Sequence, residues 1–374
     1  MTELNELLKR TWVEVDLDAI EANYRAIRAT LPQGCRFLGV VKANAYGHGA
    51  IPVARRLEKL GCDYLAVACF DEAAQLRQAG ITLPILILGP SPAELAPELA
   101  RLHLTQAVGD WGMAQALSRT LHGETLTIHM KVETGMGRTG FTAGDAGSLV
   151  EMQQTLSLPG LAVEGIFTHF AVSDEFGDDF TVTQFNRFMS TIGALETATG
   201  HKFAIRHCAN SGAVINYPWA CLDMVRPGLA LYGMYPAAER GQLTLRPAMA
   251  LKSRVGIITT HQPGDTVSYG RTFTVERPSR FAVVLIGYAD GLHRVLSGKM
   301  EVLIRGQRAP QRGRICMDMC MVDVTDLPEV RPGDEVTIFG EDMPIETLAE
   351  QAGTISYELC CAPAPRIPRV YLNE

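Results

Sequence analysis

Lys42 is the residue whose position in this sequence most strongly favours chemistry. It directly follows the apolar run Phe37–Val41 and precedes the glycine-flanked segment Ala43–Gly49. An amine at the end of a buried strand is partly desolvated, which lowers its pKa and makes it available as a nucleophile or a base. Position alone also allows a lysine that lies along the rim of the fold with its ammonium group in water. Lys42 therefore indicates a site only together with suitable partners.

Two later loops offer such partners. The segment Cys208–Gly212 contains Asn210 and Ser211 in a short turn, and Asp223–Gly228 contains Arg226 before a proline and a glycine. Backbone amides, a hydroxyl and a permanent cation suit a phosphorylated ligand. A serine before a glycine can equally cap a helix. The chemistry that these residues favour is an amine acting beside a bound phosphate.

The elements that must position these residues follow a regular pattern. Apolar, β-rich runs alternate with amphipathic stretches from Phe37 to about Gly228, which predicts parallel strands joined by helices. Eight such strands imply a closed (β/α)8 TIM barrel of the α/β class, with functional groups at the carboxyl ends of the strands. The predicted strands are Phe37–Val41, Tyr64–Ala68, Ile85–Leu88, Gln106–Gly109, Leu126–Val132, Val163–Thr168, Ala204–His207 and Leu222–Val225. The helices predicted between them include Ile51–Leu60, Glu72–Ala79, Ala93–Leu102, Met113–Leu121 and Gln184–Thr197.

Barrel closure distinguishes Lys42 from Lys131, the other lysine at a strand end. Strand one pairs with strand eight, whereas strand five lies across the barrel, and phosphate sites in this fold usually follow strands seven and eight. The loops after those two strands hold Ser211 and Arg226. Lys42 is therefore predicted to converge with them on one ligand.

The pattern changes near Arg240, where short β-type runs separated by turn signals begin. We expect a barrel over residues 11–238 and a mainly β domain over residues 239–374. The early run Thr11–Val15 does not fit the barrel count, so residues 1–15 are expected to add a strand to the later domain. The predicted helix Leu17–Thr30 follows it.

Composition limits the classes of partner. A net charge of -7 gives no basic surface for nucleic acid, and no segment is long and apolar enough to span a bilayer. The N-terminus lacks a secretory signal, and the nine cysteines show neither zinc-ligand spacing nor a disulfide framework. These features predict a cytoplasmic protein with small-molecule substrates and no metal.

Three motifs give this chain a family resemblance. The segments 40–49 (VVKANAYGHG), 131–138 (KVETGMGR) and 287–291 (GYADG) closely resemble those of bacterial alanine racemases, and the likeness runs from about Arg10 to Tyr371. The resemblance implies a pyridoxal 5'-phosphate enzyme that interconverts L-alanine and D-alanine. It also implies a homodimer in which the β domain completes the active site of the partner.

The resemblance assigns roles to individual residues. Lys42 would be the Schiff-base lysine and one catalytic base, and Tyr269, from the other subunit, would be the opposing base. Arg226 would face the pyridine nitrogen and leave it largely unprotonated, because guanidinium does not give up its proton. The remaining cofactor-binding residues implied are Tyr46, His169, Asn210, Ser211, Gly228 and Tyr357.

Further residues would bind or admit the substrate. Arg138 and the backbone amide of Met317 would hold its carboxylate. Tyr288 and Asp71 would narrow the access route. Lys131, a lysine that is often carbamylated in the family, would orient Arg138, and Asp318 would support the loop that carries Met317.

Two alternatives remain open at this point. A racemase of broader specificity, including serine, would differ only in the shape of its pocket. A barrel-type pyridoxal-phosphate amino-acid decarboxylase can share the same two domains, but decarboxylation benefits from a desolvated carboxylate. Arg138 and the Met317 amide would instead hold that carboxylate as an anion, which favours proton loss.

Overall fold

The computed structural model describes residues 10–175, 177–236 and 243–374. It consists of two compact units. The barrel unit comprises Ile20–Ala45 and Ala50–Leu245, and the β unit comprises residues 10–19, Tyr46–Gly49 and Arg246–Glu374. The predicted boundary between residues 238 and 239 lies outside the described residues.

The described chain begins with strand β1 and helix α1, and the strands and helices of the barrel follow. The first pair is β1 (Thr11–Asp16) and α1 (Leu17–Thr30). The next strands are β2 (Arg36–Val40), β3 (Tyr64–Val67), β4 (Ile85–Ile87), β5 (Leu104–Val108), β6 (Leu126–Glu133), β7 (Phe141–Thr142), β8 (Leu161–Phe167), β9 (Ile205–His207) and β10 (Met224–Val225). The helices among them are α2 (Ala50–Lys59), α3 (Phe70–Gln78), α4 (Ala96–Arg101), α5 (Trp111–Thr120), α6 (Ala146–Thr155), α7 (Phe180–Thr199) and α8 (Ser211–Asn216).

Eight parallel strands form the wall of the barrel unit, in the order β10-β2-β3-β4-β5-β6-β8-β9. The two ends of this order meet, because Asp223 N donates to Arg206 O at 3.1 Å and Arg226 N donates to Ala209 O at 2.8 Å. Strands β3, β4 and β5 are buried at every position, as expected for parallel strands covered on both faces. The predicted eight-stranded barrel is confirmed.

Some predicted elements differ in extent, for identifiable reasons. The predicted helix over residues 93–102 begins as a single 3-10 turn, Ala93–Leu95, and becomes α-helical only at Ala96, with a proline in the first turn of α4. The helix predicted over residues 184–197 extends over Phe180–Thr199 and ends at Gly200, whose φ of 71° suits glycine. The alternation of elements was thus easier to predict than their ends.

The β unit is built from antiparallel strands around a long central one. Its strands are β11 (Met249–His261), β12 (Thr266–Val267), β13 (Phe273–Thr274), β14 (Ser279–Val284), β15 (Glu301–Ile304), β16 (Gln307–Arg312), β17 (Cys320–Asp323), β18 (Glu335–Phe339) and β19 (Arg369–Leu372). Its helices are α9 (Ile345–Ala352) and α10 (Ser356–Cys361). The first half of β11 pairs with β1 and β18 and the second half with β14, which closes a ring of six strands, β11-β14-β17-β16-β15-β18. The prediction of a mainly β second domain is confirmed.

Strand β1 belongs to this sheet and not to the barrel. It pairs antiparallel with β11 and parallel with β19. Its burial alternates from Val13 to Asp16, as does that of β11 over its first eight residues, because one face of the sheet covers the core of the unit. In the parts of the chain that the structure describes, no helix has the length and apolarity needed to cross a membrane.

Candidate active site

Lys42 begins a left-handed turn directly after β2. Ala43, Asn44 and Ala45 have φ values of 52°, 53° and 55°, which are costly for residues with a Cβ atom. Glu72 on α3 supports this turn, because its Oε1 accepts from Ala43 N at 2.6 Å. Its Oε2 accepts at 2.7 Å from the first backbone N–H after β3. The neighbouring βα segment therefore holds the backbone directly after Lys42 in a strained but fixed conformation.

Four cationic side chains influence one another in the barrel unit. Burial, followed by the charges of Arg138, Arg226 and Lys42, lowers the pKa of Lys131 to about 8. Lys131 also donates from Nζ to Thr139 Oγ1 at 2.5 Å. Although the sequence reasoning placed Lys131 across the barrel from Lys42, the structure brings both into one electrostatic environment. Such a group of like charges suits anionic ligands.

Arg226 is the most deeply buried of these cations, with 4% of its surface exposed. Its NH1 faces His207 Nδ1 at 3.0 Å, and its NH2 donates to Thr168 O at 2.8 Å and faces His169 Nδ1 at 3.2 Å. Burial lowers the pKa of Arg226 to about 10, so the guanidinium remains protonated at neutral pH. It is therefore a cation held rigidly by neutral acceptors.

His169 is neutral for two reasons. Burial, and after it the charge of Arg226, holds its pKa well below the usual value. Because Arg226 can only donate, His169 Nδ1 must accept, and the hydrogen of the neutral ring lies on Nε2. His169 can thus donate a hydrogen bond from Nε2 but cannot serve as a cation at this position.

A chain of hydrogen bonds runs behind Arg226 through the interior of the barrel. His207 Nε2 lies 2.8 Å from His129 Nδ1, and His129 Nε2 lies 3.0 Å from Glu164 Oε2. Burial lowers the pKa of both histidines. His207 Nδ1 accepts from Arg226, so the hydrogen of His207 lies on Nε2, which donates to His129 Nδ1. The hydrogen of His129 then lies on its own Nε2, which donates to Glu164. Sequence reasoning missed these residues, whose only signal was a polar side chain inside an apolar strand.

The loops after β9 and β10 are joined by Ser211. Its Oγ accepts from Gly228 N at 3.0 Å and from Ala230 N at 3.2 Å. Asn210 caps α8, with its Oδ1 accepting from Ala213 N at 3.0 Å. The structure thus places Asn210, Ser211 and Gly228 beside one another, as the sequence predicted for adjacent strands of a closed barrel.

Arg138 lies in a glycine-rich turn after β6. The carboxylate of Glu133 shapes this turn by accepting from Gly135 N at 2.5 Å and from Arg138 N at 3.1 Å. Arg138 is exposed, as is Asp71 in the first turn of α3. Both side chains are therefore accessible to a ligand that approaches from solvent.

Tyr46 and Tyr357 belong to the β unit and contact each other. Their ring centroids lie 5.9 Å apart. Burial, and then the proximity of Tyr357, raises the pKa of Tyr46. Its hydroxyl therefore keeps its proton at any physiological pH and is suited to donate a hydrogen bond.

Tyr269 lies in a second left-handed turn, also in the β unit. Ser268, Gly270 and Arg271 have φ values of 67°, 72° and 51°. The Ser268 hydroxyl donates to Arg314 O at 2.5 Å, which fixes the start of the turn. Tyr269 is 70% exposed. A strained, supported turn thus presents a tyrosine to solvent.

Tyr269 lines a shallow cavity of about 390 Å³ together with residues of the loop before β17. Met317 in that loop is 54% exposed, and Tyr288, on the turn that contacts the loop, is 43% exposed. Asp318 is fixed by an ion pair between its Oδ1 and Arg366 NH2 at 2.7 Å. Clustered exposed apolar side chains of this kind mark surfaces that bind a ligand or another protein.

Comparison with known proteins extends over nearly the whole chain. The family model described as "Alanine racemase, N-terminal domain" matches residues 15–236, and "Alanine racemase, C-terminal domain" matches residues 248–371. A relative from Desulfovibrio desulfuricans, named alanine racemase, is 46% identical over 97% of this chain and 98% of its own.

Solved structures agree with this match. An alanine racemase structure from Clostridium difficile has a TM-score of 0.94 at 40% identity, covering 98% of this chain and 96% of its own. The alanine racemase from Bacillus anthracis with bound L-Ala-P has a TM-score of 0.92 at 36% identity, with coverages of 98% and 96%. Together with the barrel, the antiparallel second unit and the cationic group around Arg226, these matches show that this chain belongs to the alanine racemase family.

Proposed function

We infer that this protein interconverts L-alanine and D-alanine with pyridoxal 5'-phosphate as its cofactor. The observation that carries this inference is the fixed turn of Lys42 in the same cationic group as the buried Arg226. Racemisation removes a proton from one face of the α-carbon and returns a proton to the other face. An amine with an enforced position and neighbouring cations is suited to the first of these tasks.

The residues present fit the cofactor. When bound, pyridoxal phosphate draws electrons from the α-carbon and so acidifies its hydrogen. In the barrel unit, Lys42 is proposed to carry the cofactor covalently, and Ser211 and Asn210 offer a hydroxyl and an amide to a phosphate. The Gly228 N–H, which donates to Ser211 Oγ, is proposed to turn to the phosphate when it binds. The cations around Lys131 match the negative charge of a phosphate and of a substrate carboxylate. In the β unit, Tyr46 and Tyr357 are proposed as further phosphate ligands.

Arg226 is proposed to face the ring nitrogen of the cofactor. With a pKa of about 10 it keeps its proton at neutral pH, so it donates a hydrogen bond without transferring a proton. His207, Thr168 and His169 fix the direction of that donation. The proposed consequence is a nitrogen that stays unprotonated, and a cofactor that withdraws electrons only moderately. His169 is proposed to complete the hydrogen-bond network through its Nε2 hydrogen.

Lys42 is proposed to hold or remove the proton on one face of the α-carbon and Tyr269 on the other. Tyr269 is proposed to hold this proton on its phenolic oxygen. Its exposure on a supported turn allows that oxygen to reach a substrate. The substrate carboxylate is proposed to bind Arg138 and the Met317 amide. Lys131 would orient Arg138 once carbamylation gives it a negative charge in place of the repelling ammonium. Asp318 would support the Met317 loop, and Tyr288 and Asp71 would restrict the substrate to a small side chain.

Tyr269 and Met317 are proposed to act in the active site of a partner subunit. The support is that both are more than half exposed around a concave surface of the β unit, which is unusual for apolar side chains of a finished site. A homodimer with shared active sites would cover them. We also propose a cytoplasmic location, which the nine free thiols support.

The decisive test is isotopic. Incubation of the holoenzyme with each enantiomer of alanine in deuterated water should abolish optical rotation while deuterium enters the α-position. Borohydride reduction should fix the cofactor on Lys42, and a Lys42→Ala variant should show neither result. Formation of an amine with release of carbon dioxide would instead identify a decarboxylase, and equal rates on serine would identify a broader racemase.

A further inference from the structure

Asp290 is a buried carboxylate in the β unit, next to the loop that contains Met317. It lies in the turn Gly287–Gly291 and is 1% exposed. Its Oδ1 accepts from Arg366 Nε at 2.8 Å and forms an ion pair with Arg10, and its Oδ2 accepts from Gly287 N at 3.0 Å. Such burial of a charge is sustained only by complete pairing, and Asp290 has it.

Both arginines also bind the loop that contains Met317. Arg366 NH2 lies 2.7 Å from Asp318 Oδ1, and Arg10 NH1 donates to Asp318 O at 3.1 Å. Asp290 therefore aligns two guanidinium groups that grip the residue directly after Met317. Because Arg is planar and donates in fixed directions, its orientation by one carboxylate determines where the second partner can lie.

The backbone of the same turn contacts the other side of the loop. Tyr288 N donates to Cys316 O at 3.0 Å, and Ala289 N donates to Met317 O at 2.9 Å. A Cβ atom at Gly287 would lie 2.3 Å from Met317 O, so this close approach requires glycine. The turn around Asp290 thus fixes both carbonyl groups that flank the Met317 amide.

We propose that Asp290 is a positioning residue for substrate binding, which through Arg10, Arg366 and its own turn holds the Met317 amide in the orientation that receives the substrate carboxylate. The proposal rests on the function proposed above. It concerns a group that does not touch the substrate. Its effect should therefore fall on carboxylate binding, which is common to the ground state and the transition state, and so on KM more than on kcat.

The test uses two variants of the holoenzyme. Asp290→Asn keeps the shape of the side chain but removes the charge, and Arg366→Lys removes the fork that bridges Asp290 and Asp318. The side chain of Arg366 is 46% exposed, so Arg366→Lys should fold. This variant tests the proposal if Asp290→Asn, at a buried position, does not fold. The matched control is Asp326→Asn, which breaks the exposed ion pair of Arg277 and Asp326 in the same unit.

Each of the two variants should raise KM for alanine about tenfold and weaken inhibition by propionate, a carboxylate without the amine, by a similar factor. The value of kcat should stay within about threefold, and cofactor content should be unchanged. The control should match the unaltered chain in all of these quantities.

Unchanged KM and propionate inhibition in folded variants would overturn the proposal. So would a joint fall of kcat, cofactor content and thermal stability with KM unaltered, because that result describes a merely structural residue. If the unaltered chain itself does not racemise alanine, the proposed function fails, and that failure is seen before any variant is compared.

Discussion

Arg226 donates from both terminal nitrogens to groups that carry no charge: two imidazole rings and two carbonyl oxygens. Burial lowers its pKa to about 10, and the same guanidinium, after burial, lowers the pKa of His169. Burial, reinforced by one cation, therefore keeps the neighbouring imidazoles neutral. This arrangement explains how a site with many ionisable residues can hold a single pattern of hydrogen-bond donors at neutral pH.

Tyr269 is the residue whose proposed role is easiest to isolate. Replacement by phenylalanine removes one proton carrier and leaves Lys42, so racemisation should fall by about 10²–10⁴-fold in both directions. The equality of the two losses follows from the equilibrium constant, which the variant cannot change. One enantiomer should nevertheless exchange its α-hydrogen with deuterated water without inversion, because Lys42 still acts on its own face. Mass spectrometry of the recovered alanine measures this exchange.

The control for that experiment is Tyr217→Phe, a loss of a phenolic hydroxyl outside the proposed site. It should racemise at the unaltered rate. Full racemisation by the Tyr269→Phe variant, or exchange of both enantiomers at equal rates, would contradict the assignment of the two faces.

Sequence reasoning predicted the elements well because their signals are local. The apolar runs followed by amphipathic stretches gave all eight barrel strands, and Leu17–Thr30 is helical over the residues predicted. The ends were less certain, because they depend on caps and tertiary contacts. The predicted strand from Leu222 begins only at Met224, although the backbone of the preceding Asp223 already bonds to Arg206 O at 3.1 Å and to Arg36 N at 2.8 Å.

Parts of the site could not be predicted because they depend on contacts between distant elements. Lys42 was identifiable from its place after a strand, but its left-handed turn depends on Glu72 in the next helix. Asp290 pairs with Arg10, which lies 280 positions before it in the sequence, and with Arg366, which lies 76 positions after it. No local pattern encodes such pairs, and a single sequence without its fold gives no reason to connect them.

Substitution of Glu72 tests whether the turn after β2 is needed to bind the cofactor. Glu72→Ala removes the acceptor for Ala43 N, so the left-handed turn should relax and Lys42 should lose its fixed position. We expect the dissociation constant of the cofactor to rise about tenfold, equivalent to about 1.4 kcal/mol, a usual contribution of a charge-assisted hydrogen bond. Titration of the apoenzyme with pyridoxal phosphate, followed by absorbance, measures it.

The matched control is Glu58→Ala. Glu58 also accepts from two backbone amides of a following loop, Thr82 N at 2.7 Å and Leu83 N at 3.2 Å, but at the other end of the barrel strands. It should lower stability slightly and leave cofactor affinity unchanged. If the Glu72→Ala variant bound the cofactor as tightly as the Glu58→Ala variant and the unaltered chain, the turn would not depend on Glu72.

The whole molecule should lose stability in mildly acidic solution. Burial holds the pKa of His129, His169 and His207 below the ordinary value of 6.5. Below pH 6.5 the unfolded chain takes up protons that the folded chain refuses, so this contribution is complete above pH 6.5 and declines as the pH falls. Each histidine can cost up to about 1.4 kcal/mol per pH unit in that window.

Urea denaturation at fixed protein concentration should therefore show a lower midpoint at pH 5.5 than at pH 7.5. His129→Gln should reduce this difference, because one of the three rings with a lowered pKa is removed. His122→Gln, a change at an exposed histidine, should leave it unaltered. Equal midpoints at the two pH values in the unaltered chain would show that these rings are not buried as neutral groups.

Assembly can be tested by combining two inactive chains. A Lys42→Ala chain lacks the amine and a Tyr269→Phe chain lacks the phenol, so either homodimer alone should be nearly inactive. If each active site takes Lys42 from one subunit and Tyr269 from the other, a mixed dimer has one site with both groups and one site with neither. Random reassortment makes half of the dimers mixed, so activity should recover to about a quarter of the unaltered value. If both residues acted within a single chain, no intact site could form, and mixing after dissociation and reassociation would restore nothing.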